Sequence, residues 1–295
     1  MQKITPHLWY DKEAVEAAQF YVSIFPDSKI HSVTAIHDTP SGSVDIVTFD
    51  LFGLEFQAIS AGPLFKFNPS VSFMVTCKTI AEVDSFWNKL LPGGMVLMEL
   101  GAYPFSERFG WLQDKYGLSW QIIFPGGADV KRKIIPMIMF VGGVCGKAEE
   151  AINLWASVFQ DAKVGAIMRY SKGEEPDKEG TLKYGDFSLF GQEFRAMDSA
   201  YEHNFAFNEA ISFIVPCDTQ AEIDYYWEKL SAVPEAEQCG WLKDKFGFSW
   251  QIVPTVMDEM MREGSKEQIA RVTEAFLPMK KFDIESLKRA YKGSD

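Results

Sequence analysis

The sequence is poor in the residues and runs that mark several common classes of protein. No stretch approaches the roughly twenty consecutive apolar residues that span a bilayer, and the N-terminal MQKITPHLWYD lacks the apolar core of a signal peptide. Only four cysteines are present and none forms a CxxC pair: Cys77, Cys145, Cys217 and Cys239. A chain of 295 residues needs no disulfide staples. We therefore expect a cytoplasmic protein with no membrane partner.

Basic residues are also scarce. There are 29 Lys and Arg against 41 Asp and Glu, which gives a formal net charge of −12. Nucleic acids and anionic membrane surfaces favour clustered positive charge, so neither is expected as a partner. The one short basic run, KRK from Lys131, is interpreted as a solvated linker.

What the sequence does contain is a long internal repeat. GWLQDKYGLSWQII begins at Gly110 and GWLKDKFGFSWQIV begins at Gly240. Further pairs match, among them SVSFMVTCKTIAEVDSFWNKL with AISFIVPCDTQAEIDYYWEKL. The spacing is that of a whole small domain and too long for a solenoid repeat. We expect domains over residues 1–128 and 129–255, followed by a helical extension over 256–295.

Each unit shows the same order of strands and helices. A short strand precedes a helix with Val15, Ala18, Val22 and Phe25 along one stripe, and further strands follow. A second strand leads into a second helix, with Thr79 and Glu82 spaced for a capping box and Val83, Phe86, Trp87 and Leu90 on its apolar face. This pattern predicts a βαβββ module used twice per unit and an α+β fold.

The C-terminal segment after Pro254 has no counterpart in the first unit. Its apolar residues Ile269, Val272, Ala275 and Phe276 recur at helical spacing. We interpret the segment as two helices that dock on the second unit or across the boundary between the units, because a free tail would expose apolar surface.

The repeated strand LSWQII supplies the first candidate ligand-binding residues. Side chains alternate across a strand, so Trp120 and Ile122 should enter the core while Ser119 and Gln121 point to the opposite face. Ser249 and Gln251 are their counterparts. A glutamine amide can hold a polar substrate or can simply satisfy neighbouring groups. Both readings stay open from the sequence.

Three further ligand-binding candidates lie outside the repeated strand, as does Gln57 of LEFQAIS. Trp111 and Trp241 precede the repeated turn, where tryptophan either lines a pocket or belongs to the core. His7 lies on the first strand and has Met137 at the matching position. The other histidines, at positions 31, 37 and 203, show no metal-ligand spacing.

Paired βαβββ modules closed by DKYGLSWQ and DKFGFSWQ resemble the vicinal oxygen chelate superfamily, which includes glyoxalase I, bleomycin-resistance proteins and extradiol dioxygenases. PFSERFGWLQDKYGLSWQ, FKFNPSVSF and FAFNEAISF are similar to the PhnB-like branch, often named 3-demethylubiquinone-9 3-methyltransferase. The resemblance implies two tandem glyoxalase-like domains. S-adenosylmethionine enzymes are typically doubly wound with a glycine-rich turn after the first strand, and this sequence has neither feature.

The resemblance also implies where a metal site would lie, and this chain departs from it. The closing motif of the superfamily carries a metal-binding Glu where Gln121 and Gln251 stand. The last strand of the first module offers Gln57 in one copy and Arg195 in the other. Ser70 or Ala210 stands where a His is expected, and the first strand offers Ile4 or Thr5 with His7 nearby. Such a set does not hold a divalent ion, so we expect no metal and no cofactor.

Three functions remain open at this stage. The leading hypothesis is a small organic molecule bound in a metal-free, cupped-sheet pocket, either sequestered or acted upon. The second is a divalent-metal lyase, isomerase or dioxygenase, and the third is a non-catalytic interaction module whose tail docks a partner. The two units are expected to pair within the chain, and a homodimer through sheet edges or the tail is left open.

Overall fold

The computed structural model describes residues 4–39, 42–127 and 133–293, with the side chains of 37–39 outside that set. The strands are β1 Thr5–Tyr10, β2 Lys29–Thr39, β3 Gly42–Leu51, β4 Leu54–Ser60, β5 Val71–Thr76, β6 Met95–Tyr103, β7 Ser106–Gln113, β8 Ser119–Phe124, β9 Lys133–Phe140, β10 Lys163–Arg169, β11 Leu182–Leu189, β12 Gln192–Asp198, β13 Ile211–Cys217, β14 Trp241–Lys243 and β15 Ser249–Pro254. The helices are α1 Ala14–Ile24, α2 Ile80–Leu90, α3 Ala148–Val158, α4 Gln220–Leu230, α5 Thr255–Glu263, α6 Lys266–Phe276 and α7 Ile284–Lys292. The expected boundary near residue 128, like most of the KRK linker, falls outside the described residues.

The order of elements confirms the α+β class and the repeated module. Three modules have the expected form of a strand, a helix and three strands, and they begin at β1, β5 and β9. The fourth has only β14 and β15 after α4. The reason lies in the chain length, since the first unit has AYPFSERFGW where the second has only AEQCGW.

The modules of the two units interlock in two sheets. The first sheet has the strand order β14-β15-β13-β1-β4-β3-β2, and the second has β10-β11-β12-β9-β5-β8-β7-β6. Each sheet therefore joins the first module of one unit to the second module of the other. The joints are antiparallel ladders, β1 with β13 and β5 with β9. The two units thus pair within the chain.

Two reciprocal hydrogen bonds join the segment that precedes the second module of one unit to the same segment of the other unit. Asn68 Nδ2 donates to the Ala206 carbonyl at 2.9 Å, and Asn208 Nδ2 donates to the Lys66 carbonyl at 2.9 Å. Both asparagines belong to the FNPS and FNEA segments that precede the second modules. The repeated asparagine therefore links the units and does not face a pocket.

The helices begin where the sequence predicts, but α1 buries a different stripe. Thr79 and Thr219 each accept a hydrogen bond from the backbone N–H three residues later, at 3.2 Å, and Val83, Phe86, Trp87 and Leu90 are buried as expected. In α1 the fully buried residues are Ala14, Ala17, Ala18, Tyr21 and Ile24, while Val15 and Val22 are only partly buried. The predicted stripe was confirmed at Ala18 and Phe25 and wrong at Val15 and Val22, because Tyr21 occupies the centre of the helix face that enters the core.

The core of each unit lies between the two sheets and is strongly aromatic. In the first unit Phe56 of β4 meets Phe73 of β5, with ring centroids 5.1 Å apart. In the second unit Phe194 of β12 meets Phe213 of β13 at 5.4 Å. Burial of such rings supplies most of the driving force for folding, and it leaves the opposite face of each sheet available for other uses.

The C-terminal tail forms three helices, because α5 precedes the two that were expected. Backbone hydrogen bonds of 2.7 Å join Cys239 and Gly240 to the carbonyls of Met279 and Lys280, so the tail docks where the second unit lacks a strand. Six large apolar side chains of the tail are buried, and others are partly buried against the core; the buried ones are Met260, Val272, Phe276, Phe282, Ile284 and Leu287. No exposed apolar stripe is found on the described part of the tail, which removes the sequence-based argument for an interaction module.

Candidate functional site

The turn in the repeated segment has a structural role. Oδ1 of Asp114 accepts from the N–H groups of Tyr116 and Leu118 at 2.8 and 3.1 Å. Its Oδ2 accepts from the Tyr21 hydroxyl and the Trp120 indole, both at 2.8 Å. The carboxylate thus fixes the turn, the following strand and α1 at one point.

Asp244 does the same in the second unit with a different partner on the helix. It accepts from the N–H groups of Phe246 and Phe248 and from the indoles of Trp250 and Trp155, over 2.9 to 3.1 Å. Burial raises the pKa of both carboxyls, and the four donors around each act in the opposite direction. These carboxylates hold the fold through bonds within the chain.

The other side of the same strand carries polar groups. Trp120 and Ile122 lie in the core, while the Gln121 amide donates to the Ser72 hydroxyl at 2.8 Å. In the other sheet Gln251 donates to Ser212, also at 2.8 Å. Each sheet therefore has a face, opposite its aromatic core, on which glutamine and serine meet across neighbouring strands.

We call the face of the first sheet the His7 face, after the central residue of a set that also contains Gln57, Ser212 and Gln251. His7 lies opposite Gln57 of β4 on one side and opposite Ser212 of β13 on the other. The histidine is 3% exposed, and no described residue hydrogen-bonds its Nδ1. Burial lowers the pKa of His7 to about 3, so the imidazole stays neutral near pH 7.

Trp241 and Ser249 lie at the side of the His7 face. The Trp241 ring meets the His7 ring edge-on at 5.3 Å and the Trp9 ring at 6.1 Å. The Ser249 hydroxyl is buried with no described hydrogen-bond partner. A buried orphan hydroxyl and a buried orphan imidazole nitrogen on one face are costly unless another group satisfies them.

Helix α5 lies over part of the His7 face. Met261 packs against the small cluster of Ile36, Val44 and Ala61, as Trp9 and Ile59 do. Burial raises the pKa of Asp258, and the nearby Glu55 carboxylate raises it further. Since Glu55, Gln57 and Ile59 alternate onto one side of β4, the tail helix forms one wall of this face.

We call the corresponding face of the second sheet the Arg195 face. Arg195 and Met137 stand where the His7 face has Gln57 and His7, and Met137 lies opposite Ser72. The Trp111 indole donates to the Ser119 hydroxyl at 2.8 Å. The same bond is not made on the His7 face, where Trp241 turns towards His7 and leaves Ser249 without a partner. The two faces therefore differ in charge and in tryptophan orientation.

Sequence reasoning missed the two serines that meet the glutamines. Ser70 and Ala210 were the expected positions. They immediately precede β5 and β13, and their backbone carbonyls accept hydrogen bonds from the N–H groups of Met139 and Trp9. Ser72 and Ser212, two residues later, are the ones on the polar faces. The period of two along a strand carried this signal, but the start of the strand was not readable from the sequence.

The donor set of the His7 face does not fit a divalent metal. Beside His7 it offers the two amides of Gln57 and Gln251, and the amide nitrogen of Gln251 is already bound to Ser212, while the Glu55 carboxylate lies near Asp258 of α5. No group of three His, Cys, Asp or Glu side chains converges within the described residues. His31 pairs with Asp50 at 2.9 Å and His203 with Ser199 at 2.8 Å, while the side chain of His37 lies outside the described residues. Neutral donors of this kind hold divalent cations weakly.

Comparison with known proteins places the chain in a family. A family model described as 3-demethylubiquinone-9 3-methyltransferase matches it twice, over residues 2–123 and 132–253. The chain belongs to this family. The expected resemblance to the branch often named 3-demethylubiquinone-9 3-methyltransferase is thereby confirmed.

Solved structures add a half-length relative and two relatives of the full fold. A putative 3-demethylubiquinone-9 3-methyltransferase, PhnB protein, from Bacillus cereus is 42% identical over 42% of this chain and 99% of its own, with a TM-score of 0.39. Glyoxalase I from Zea mays is 12% identical, covers 88% of this chain and 96% of its own, and has a TM-score of 0.53. A putative dioxygenase from Bacillus subtilis is 11% identical, covers 84% of each chain and has a TM-score of 0.51.

The last two likenesses show the fold of this family member and say nothing about its chemistry. None of the curated proteins matches the chain. Among the described helices, none is both long and apolar enough to cross a membrane.

Proposed function

We propose that the protein binds a small organic molecule on the His7 face without a metal ion. The observation that carries the proposal is the pair of buried orphan groups, His7 Nδ1 and Ser249 Oγ, on a face lined by tryptophan. A ligand with one hydrogen-bonding group would satisfy a group that folding leaves unpaired. Binding would then recover the desolvation cost of the polar group that is unpaired in the folded protein.

The proposed ligand is largely apolar and uncharged near its polar end. The imidazole is neutral, the nearest amides are neutral, and the rings of Trp9 and Trp241 offer flat apolar surface. His7 Nδ1, Ser249 and Gln251 would bind the polar end, while Gln57 would lie beside it. The hypothesis includes both sequestration of this molecule and action on it by general acid or base groups.

The metal-dependent alternative finds less support, because its donor set would require a carboxylate beside His7. The interaction-module alternative lacks an exposed apolar stripe on the part of the tail that the structure describes. We also propose that the protein acts in the cytoplasm. Its exposed sheet edges permit a homodimer, and native mass spectrometry would measure the mass of that homodimer directly.

The test uses N-phenyl-1-naphthylamine, a neutral aromatic probe that becomes fluorescent when it enters an apolar site. We expect saturable binding to the wild-type protein. The Gln57→Arg variant, which copies the residue of the other face, should lose binding by at least tenfold because a guanidinium would fill the space beside His7. Gln121→Ala, on the Arg195 face, is the matched control and should bind normally. Equal binding by Gln57→Arg and the wild type would overturn the proposal.

A further inference from the structure

The Arg195 face holds a guanidinium that has no carboxylate partner among the described residues. Arg195 extends from β12 across β9, and its Nη1 contacts the Met74 sulfur on β5. Its Cζ lies 5.6 Å from the ring centroid of Tyr184. A thioether is a weak acceptor, so most of the five N–H donors of this side chain have no strong partner.

The acidic residues nearby are engaged elsewhere. Glu193, two residues away on β12, forms an ion pair with Lys133. Asp186 lies opposite Arg195 on β11, but its carboxylate accepts from the Ala166 N–H. Within the described parts of the chain Arg195 forms no salt bridge at all. Arg195 is only partly buried, and it is left without a carboxylate among the described residues although the chain has 41 Asp and Glu.

The surroundings of the guanidinium suit an anion attached to an apolar body. Met137 lies beside Arg195 on β9, and Met74, Phe109 and Ile123 form a buried apolar cluster against which Trp111 packs. A planar guanidinium binds a carboxylate through two parallel hydrogen bonds. The Gln121–Ser72 pair at 2.8 Å adds polar groups at the same level of the sheet.

We propose that the Arg195 face is a second binding site and that it takes an organic carboxylate. The carboxylate would lie on the Arg195 guanidinium, and an aromatic or aliphatic body would contact Met137 and Trp111. The His7 face has the neutral Gln57 at the matching place, so the duplicated domains would bind two different classes of ligand. This inference does not depend on the proposal for the His7 face.

The test is a calorimetric titration of the full chain with benzoate at low ionic strength. We expect saturable binding to the wild-type protein and a loss of at least tenfold in affinity in Arg195→Gln, because the charge-assisted pair is removed. Arg195→Lys should keep part of the affinity. Lys183→Gln removes the same charge from a neighbouring exposed position and should leave benzoate binding unchanged.

Two further measurements separate this site from the other one. Benzyl alcohol, the neutral analogue of the probe, should bind the wild type no better than it binds Arg195→Gln. N-phenyl-1-naphthylamine should bind Arg195→Gln as it binds the wild type, which also shows that the variant is folded. No saturable benzoate binding to the wild type, or equal benzoate affinity in the wild type and Arg195→Gln, would show that Arg195 merely fills its own face.

Discussion

The two buried turn carboxylates should respond differently to the same substitution. Aspartate to asparagine keeps the shape of the side chain but replaces one acceptor oxygen by an N–H₂ donor. In the second unit that donor would face the indoles of Trp155 and Trp250, which now lie 2.9 and 3.0 Å from Oδ2 of Asp244. An indole has only a donor, so both N–H groups would lose their acceptor.

Turning the amide over does not help Asp244→Asn, because the N–H₂ group would then face the N–H groups of Phe246 and Phe248. Each buried donor left without a partner costs about 1–3 kcal/mol. Two such donors give an expected loss of about 2–6 kcal/mol in the free energy of unfolding. That is a large fraction of the ~5–15 kcal/mol typical of a folded domain.

The first unit has an escape that the second lacks. At Asp114 the helix partner is the hydroxyl of Tyr21, 2.8 Å from Oδ2, and a hydroxyl both donates and accepts. It can turn to accept from the new amide, so only the Trp120 indole loses its acceptor. Asp114→Asn should therefore cost about 1–3 kcal/mol, less than Asp244→Asn.

Urea unfolding followed by circular dichroism measures both variants against the wild type. The account predicts a clearly lower midpoint for Asp244→Asn than for Asp114→Asn, with similar slopes. Equal losses, or a greater loss at Asp114, would refute the argument from donor and acceptor chemistry.

Three further predictions concern the pH dependence, the tail and the pairing of the units. Burial lowers the pKa of His7 from 6.5 to about 3, so between these values only the unfolded chain binds the proton, and stability is lost as the pH falls below about 6.5. In urea unfolding, His7→Leu should remove about 2 kcal/mol of the stability loss between pH 7.5 and pH 5. An unchanged pH profile would contradict the burial of His7. Gly240 has φ +82°, and an added Cβ would overlap Phe282 and lie 2.8 Å from the Ile252 carbonyl, whereas Gly53 has φ +79° and open space around it. Gly240→Ala should therefore lower the melting temperature more than Gly53→Ala. The reverse order would argue against the docked tail. Residues 1–128 alone would expose β1 and β5, which pair with β13 and β9 in the intact chain, so this half should dimerise in sedimentation; a stable monomer would count against the interlocked sheets.

Much of the fold follows from the sequence because it rests on periodicity and repetition. The capping residues Thr79 and Thr219, the face of α2 and the split of LSWQII between Trp120 and Gln121 are local patterns that tertiary packing has no reason to override. The stripe of α1 was right at Ala18 and Phe25 but misplaced at Val15 and Val22. The buried centre of the helix is set by the contact of Tyr21 with Asp114, 93 positions away, which a local pattern does not contain.

The candidate faces were only partly readable. Gln57 and Arg195 could be placed from the repeat alone, but Ser72 and Ser212 required the strand register. The difference between Trp111, held by Ser119, and Trp241, turned towards His7, depends on which module of which unit enters each sheet. Helix α5 as a wall of the His7 face could not be predicted, because it involves the tail and the first unit, which are distant in sequence.

The central claim is that the His7 face binds a small neutral organic molecule. The most direct measurement is a crystal of the protein soaked with 4-bromophenol, in which anomalous scattering locates the bromine. We expect a bromine peak between Trp9, Trp241 and α5, with the phenol oxygen near His7 Nδ1 or the Ser249 hydroxyl. A peak confined to other surfaces, with the His7 face filled by ordered water alone, would contradict the account.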